Sequence, residues 1–267
     1  MIGLSVWFFK DNSNFSKIDM IVKKIIKHNA KFFSKYVIIT NCPFAFEDKA
    51  DYPNVETFGV NKQKLFAENV LKTDYETIRD HQWSDIGTYF LKEICDSDEA
   101  VLYVDSDFII SNGTLISELE RYSNHYMNFY DNNFYLLGDN QKYYINAAVS
   151  FYPKGFAING YVRDVLMKET INLLSKHMAN EYNSIGPRLI NSYRGSVKVP
   201  ENVLPNTPSF GEICFSEEQE SELELKYTKD SLGIHLLFSM FRWQKLEPVS
   251  IRFKLNGIIL SLKEQCC

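Results

Sequence analysis

Apolar and polar positions follow two alternating rhythms along the first hundred residues. Residues 4–9 are a short apolar run that reads as a strand, and the polar stretch 11–14 closes it. From 17 to 33, Ile18, Ile21, Val22, Ile25 and Ile26 recur at i, i+3, i+4, i+7 and i+8, which is one face of an amphipathic helix. Residues 36–40 predict a second strand, ended by Asn41-Cys42-Pro43, and 55–60 a weaker third. A helix is expected over 77–95, with Trp83, Ile86, Gly87, Phe90, Leu91 and Ile94 on one stripe and Asp85, Tyr89 and Lys92 on another face. A fourth strand follows at 100–104. Strands alternating with helices predict an α/β fold with a mostly parallel central sheet covered on both faces.

Beyond residue 110 the pattern is more mixed. Helices are expected over 115–122, 162–174 and 185–193, strands over 127–137 and 144–152, and an acidic loop or lid over 212–224. No Ser/Gly-rich linker and no repeat divides the chain, so residues 1–267 are expected to form a single domain.

The fourth strand carries the chemistry. Its apolar run ends in Asp105-Ser106-Asp107, and burying an unpaired carboxylate is costly. The pair is therefore expected at the strand's carboxyl end, facing a crevice that holds something positive. A hard divalent cation shared with a diphosphate is the economical partner, and open α/β sheets bind ligands beyond the carboxyl ends of their strands. Two other uses remain open. The carboxylates could cap the next turn through the amides of Asn112 and Thr114. Asp105 could instead be the nucleophile of a phosphohydrolase of the haloacid-dehalogenase type. In that family Gly or Val and then Thr usually follow, whereas Phe108-Ile109 follow here, and Gly138-Asp139 lacks a second nearby Asp. No GxxxxGK[ST] loop is present, which removes the P-loop reading.

Composition narrows the partners. The net charge of −5 is interspersed rather than clustered, so there is no basic footprint for nucleic acid. The 16 Tyr and 20 Phe would fill a core, and Tyr also suits sugar-binding clefts. Five scattered cysteines without a CxxC indicate neither a zinc site nor a disulfide framework, and a cytoplasmic protein is expected. The apolar start lacks a basic leader and reads as a strand, and no run approaches the ~20 apolar residues of a membrane helix. Cys266-Cys267 are either two thiols on a frayed tail or a lipidation site, which would put the chain at the inner face of a membrane.

Several segments, in order, resemble the DXD-containing sugar transferases related to fungal initiating mannosyltransferases, lactosylceramide galactosyltransferases and bacterial capsule and lipooligosaccharide enzymes. Ser84-Asp85-Ile86-Gly87-Thr88-Tyr89 is similar to that family's Ser-Asp-x-x-Arg-Tyr helix, with Thr88 where the Arg stands. Leu102-Tyr103-Val104-Asp105-Ser106-Asp107 resembles its metal strand, and Ile145-Asn146-Ala147-Ala148 through Lys154-Gly155 the strand beyond it. Ile185-Gly186-Pro187 echoes a Thr-Gly-Pro helix start, and His235, Ser239 and Trp243 a terminal His, Ser and Trp.

The resemblance implies a GT-A fold and transfer of a sugar, mostly with retention, from a nucleotide-diphosphate donor (a UDP-sugar favoured) to a glycan or lipid-linked acceptor in polysaccharide biosynthesis. It implies Mn²⁺ or Mg²⁺ held by Asp107 and Asp105, with His235 as third ligand or diphosphate contact. Asp85 and Tyr89 would meet the donor, Asp105 its ribose, and Asn146 the donor sugar or acceptor. Residues 1–110 would be the nucleotide-sugar half and 111–267 the acceptor half and tail. Trp7 and Phe8 could stack a base or pack in the core, and Arg242 and Lys245 could pair with phosphates or stand in solvent. An inverting enzyme would need a carboxylate base, for which Glu212 and Asp164 are candidates. A non-catalytic carbohydrate-binding relative is the third reading of the chain.

Overall fold

The computed structural model describes residues 1–110, 113–119, 127–130, 145–158, 160–175, 233–235, 252–255 and 258–261. In chain order these form β1 (Ile2–Val6), α1 (Lys17–Ala30), β2 (Lys35–Ile39), β3 (Val55–Phe58), α2 (Val60–Phe66), α3 (Gln82–Tyr89), α4 (Leu91–Cys95), β4 (Val101–Val104), β5 (Phe108–Ile110) and α5 (Gly113–Leu119). After them come β6 (Met127–Tyr130), β7 (Ile145–Tyr152), α6 (Gly160–Ser175), β8 (Gly233–His235), β9 (Arg252–Leu255) and β10 (Ile258–Ser261).

Six strands make the central sheet in the order β3-β2-β1-β4-β7-β6. The first four are parallel, with Leu4 opposite Val37 on one side and Tyr103 on the other. β7 then runs antiparallel to β4, Val104 facing Val149, and β6 antiparallel to β7. The expected α/β class, mostly parallel with a mixed second half, is what the chain adopts.

Side-chain alternation sends each strand's residues to two separate cores. On one face α1 packs Ile21, Val22, Ile25 and Ile26 against Tyr36, Ile38, Leu102 and Val104. On the other, α3, α4 and α6 cover Leu4, Val37, Ile39 and Tyr103 with Trp83, Ile86, Leu91 and Leu166. Gly3 allows the first core to close: a Cβ there would lie 2.4 Å from the Tyr36 ring.

The helix expected over 77–95 begins only at Gln82, after a 3₁₀ turn at Tyr75–Thr77, and is two helices. The chain breaks at Phe90 (φ −125°, ψ 44°), whose ring meets Phe66 edge-on at 5.3 Å and lies under the Arg163 guanidinium at 4.6 Å. Both halves keep their apolar stripe on the sheet. Lys92, however, leaves the face of Asp85 and Tyr89 and pairs with Asp98 at 2.9 Å. The first strand stops at Val6 and the third at Phe58, and α2 was not expected from the pattern. Predicted elements at 185–193 and 212–224 and the 131–137 part of a predicted strand lie outside the described residues.

Candidate active site

Strand order reverses between β1 and β4: β2 and β3 extend to one side of β1, β4 to the other. Two parallel strands whose connections leave in opposite directions open a crevice at their carboxyl ends. Asp105 is the first residue past β4. Its carbonyl accepts the Phe108 N–H at 2.9 Å, so Asp105-Ser106-Asp107-Phe108 is a turn, and β5 leaves it in a new direction. Both acidic residues thus stand at this crevice rather than within a strand.

The carboxylates differ in setting. Asp105 keeps some exposure, and its Oδ1 accepts the Tyr103 O–H at 2.8 Å. Asp107 is buried, with 6% of its surface exposed. Asp85, on α3, approaches from the face covering Tyr103. Burial first, and then the negative charge of Asp105, push its carboxyl up to about 7. Tyr103 is raised well above the phenol range by burial and by Asp105. Gly87 lets α3 lie close to the sheet, since a Cβ there would stand 3.0 Å from Ile39 Cδ1. Thr88, at the position of the family's Arg, turns its hydroxyl back to the Asp85 carbonyl at 2.9 Å.

β8 pairs antiparallel with β5, placing His235 opposite Phe108 and therefore beside Asp107 in the backbone register. Asn146 lies on β7, three residues before Val149, on the stretch that continues past the carboxyl end of β4. Arg242 and Lys245 lie outside the described residues.

Trp7 and Phe8 leave β1 at the same crevice but are core residues, 7% and 5% exposed, on opposite faces of the sheet. The Trp7 indole N–H donates to Asp19 Oδ1 at 2.9 Å. Asp19 in turn closes the N-terminal capping box of α1 with Ser16. Tyr89 is also core, 3% exposed.

Sequence reasoning did not single out the clasp on β5. Asn29, near the end of α1, donates through Nδ2 to the Phe108 carbonyl at 2.7 Å and accepts the Ile110 N–H on Oδ1 at 3.0 Å. The neighbouring His28 donates from Nε2 to the Ile110 carbonyl at 2.7 Å. The available signal was Asn29 itself, a polar residue at the i+3 and i+4 positions from Ile26 and Ile25 on the apolar face of α1.

Chemically, the site offers two carboxylates on a short turn and a third across from them, with a histidine register position next to the turn. Carboxylate oxygens of this kind suit a hard divalent cation that keeps positions open for phosphate oxygens. Among the described residues no group of three or more His, Cys, Asp or Glu side chains is placed to hold a metal ion. Among them, too, no helix is long and apolar enough to cross a membrane.

No protein-family model and no curated relative matches the chain. Among solved structures it is similar to the galactosyltransferase LgtC in complex with donor and acceptor sugar analogs, at 15% identity and a TM-score of 0.43 over 72% of this chain and 70% of that one. A glycosyltransferase involved in glycosylation of the major capsid of PBCV-1 matches at 14% identity and 0.43, over 88% of this chain and 92% of its own. The apo form of the glycosyltransferase GlyE of Streptococcus pneumoniae TIGR4 matches at 14% and 0.43, over 74% of this chain and 44% of its own.

Proposed function

We propose that the chain is a metal-dependent glycosyltransferase that moves a sugar from a nucleotide-diphosphate donor, a UDP-sugar first of all, to a glycan or lipid-linked acceptor with retention. One observation carries the reading: the Asp105–Asp107 turn stands where the strand order reverses, with β8 bringing His235 alongside it. Asp107 and Asp105 would hold Mn²⁺ or Mg²⁺, joined by His235. When bound, the cation supplies the positive charge that stabilises the departing diphosphate.

The chain's own groups do the rest. Asp105 is oriented by the Tyr103 hydroxyl, which donates to its Oδ1, and would meet the metal or the ribose. Asp85, its carboxyl raised to about 7, serves as a hydrogen-bonding contact to the donor. Asn146, on the stretch of β7 beyond β4, would reach the donor sugar or acceptor. The glycosidic C–O bond breaks toward the diphosphate, the acceptor oxygen bonds to the same face of the sugar, and its proton passes to a diphosphate oxygen. No protein base is then required. In this reading residues 1–110 bind the nucleotide sugar and 111–267 serve the acceptor, with Arg242 and Lys245 toward the phosphates. The work is done on the cytoplasmic side, in the assembly of a polysaccharide.

The test is release of UDP or GDP from a panel of nucleotide sugars with Mn²⁺ and with EDTA. Release should need the metal and fall by roughly 100-fold or more in Asp107→Asn. Absence of release with every donor would overturn the reading. Metal-dependent release of inorganic phosphate from sugar phosphates would replace it with the phosphohydrolase.

A further inference from the structure

We propose that Asn29 is a positioning residue for the metal turn: its side-chain amide acts as a short surrogate strand that fixes β5, and through β5 the placement of Asp107 and of His235. The inference rests on the metal reading above and adds to it the device that sets the ligand geometry.

β5 is only three residues long and does not belong to the central sheet. A strand this short has two unpaired edges. Alternation sends the Phe108 carbonyl and the Ile110 amide to one edge and both groups of Ile109 to the other. Strand β8 covers the edge of Ile109, which it faces with Ile234. Asn29 covers the opposite edge, donating to the Phe108 carbonyl and accepting from the Ile110 N–H as a neighbouring strand would. His28 extends this false strand by one bond, to the Ile110 carbonyl. The Phe108 N–H is already spent on the Asp105 carbonyl. Every backbone group of Phe108 and Ile110 is therefore bound, and β5 has no freedom to slide.

The clasp is itself braced. Asn29 is fully buried, and its side chain also hydrogen-bonds the Tyr36 hydroxyl. Tyr36 bonds Ser5 at 2.5 Å, and Ser5 donates to the Val104 carbonyl at 2.6 Å, one residue before Asp105. The same asparagine thus reaches both ends of the Asp105–Asp107 turn, one through β5 and the other through Tyr36 and Ser5. At the far end of α1, Asp19 ties the helix to Trp7. A buried carboxamide that makes three hydrogen bonds, two of them to the strand that follows an acidic turn, is an orienting group of the kind found behind metal ligands.

Mn²⁺ binding to the purified full chain, followed by electron paramagnetic resonance well below the unfolding transition, tests this. Asn29→Leu keeps the branched outline and removes the clasp, and should weaken Mn²⁺ about 10- to 100-fold. Val55→Ala, on β3 away from the turn, should lower the melting temperature and leave Mn²⁺ affinity unchanged. His28→Gln, whose amide can still donate to the Ile110 carbonyl, should bind Mn²⁺ more tightly than His28→Leu. Wild type that fails to bind Mn²⁺ overturns the metal reading itself. Wild-type affinity in a folded Asn29→Leu overturns only the positioning role, as does an equal loss in Val55→Ala. If Asn29→Leu does not fold, equal affinities in the two His28 variants decide against the clasp.

Discussion

Ser5→Ala tests the buried bridge between β1, β2 and the end of β4. The Ser5 hydroxyl has one hydrogen, and it donates that hydrogen to the Val104 carbonyl at 2.6 Å. The 2.5 Å contact with Tyr36 must therefore run from the Tyr36 O–H to Ser5 Oγ. Burial pushes the Tyr36 hydroxyl up to about 12, so it keeps this proton throughout the accessible pH range. Both residues have no exposed surface, and no solvent can replace a lost partner. Ser5→Ala leaves the Tyr36 O–H without an acceptor and the Val104 carbonyl short of a donor. At ~1–3 kcal/mol for a buried unsatisfied group, the expected loss is about 2–3 kcal/mol. For a chain of this size each kcal/mol moves the melting temperature by roughly 2–4 °C, so the fall should be about 4–12 °C. Tyr36→Phe should cost about 1–2 kcal/mol: Ser5 keeps its bond to Val104, while the Asn29 side chain loses one of its partners and keeps Phe108 and Ile110. The double variant is decisive: with the orphaned hydroxyl gone, its cost should undershoot the sum of the singles by about 1 kcal/mol. Urea denaturation of the four proteins measures this coupling. Additivity within ~0.5 kcal/mol would refute the assigned donor directions.

Two further outcomes follow from the packing around the sheet. Gly3→Ala should destabilise by about 1–3 kcal/mol, because the added methyl meets the Tyr36 ring at 2.4 Å and the Phe33 ring at 2.8 Å; thermal denaturation reads it, and an unchanged midpoint would show that both rings can retreat. His28 is held below its ordinary 6.5, chiefly by burial, with the Lys31 charge adding to this and its bond to Ile110 opposing it. The unfolded chain then takes up a proton that the folded one resists, so this contribution is whole above pH 6.5 and is lost as pH falls below it. His28→Gln should flatten the acid side of the melting-temperature profile relative to wild type, and parallel profiles would count against the assignment.

What was legible in the sequence follows from how local each feature is. The stripe from Ile18 to Ile26 announces α1 because a helix repeats its contacts every three to four residues, and the structure starts α1 at Lys17 as that pattern does. The Asp105–Asp107 pair announces the end of β4 because charge cannot continue a buried strand. The break at Phe90 was illegible for a tertiary reason: both halves of the 77–95 segment keep helical spacing, and only the packing of Phe90 against Phe66 and Arg163 separates them. Strand β5 was hidden for another. Its three residues carry too short a pattern, and its partners come from α1 and from residue 233 onward, far away along the chain. Asn29 could have been noticed, since a carboxamide on an apolar stripe must find bonds inside. Which backbone it would bind is a fact of the fold alone.

Charge explains why such a clasp is worth its buried polar atoms. Asp85, Asp105 and Asp107 bring three acidic residues to one end of the sheet, and burial together with the charge of Asp105 raises the carboxyl of Asp85. A diphosphate approaching this edge alone meets repulsion of the order of ~4 kcal/mol per close charge pair near a protein surface. In the proposed reading, a divalent cation held by Asp105 and Asp107 would turn the same carboxylates from a barrier into a holder for the diphosphate. That inversion works only if the acidic turn is in place before either ligand arrives, because carboxylates free to move would relax away from one another. The strands cannot impose this, since β4 ends at Val104 and β5 is too short to stand alone. Helix α1 can, through one asparagine whose side-chain nitrogen and oxygen both bind the strand that follows the turn.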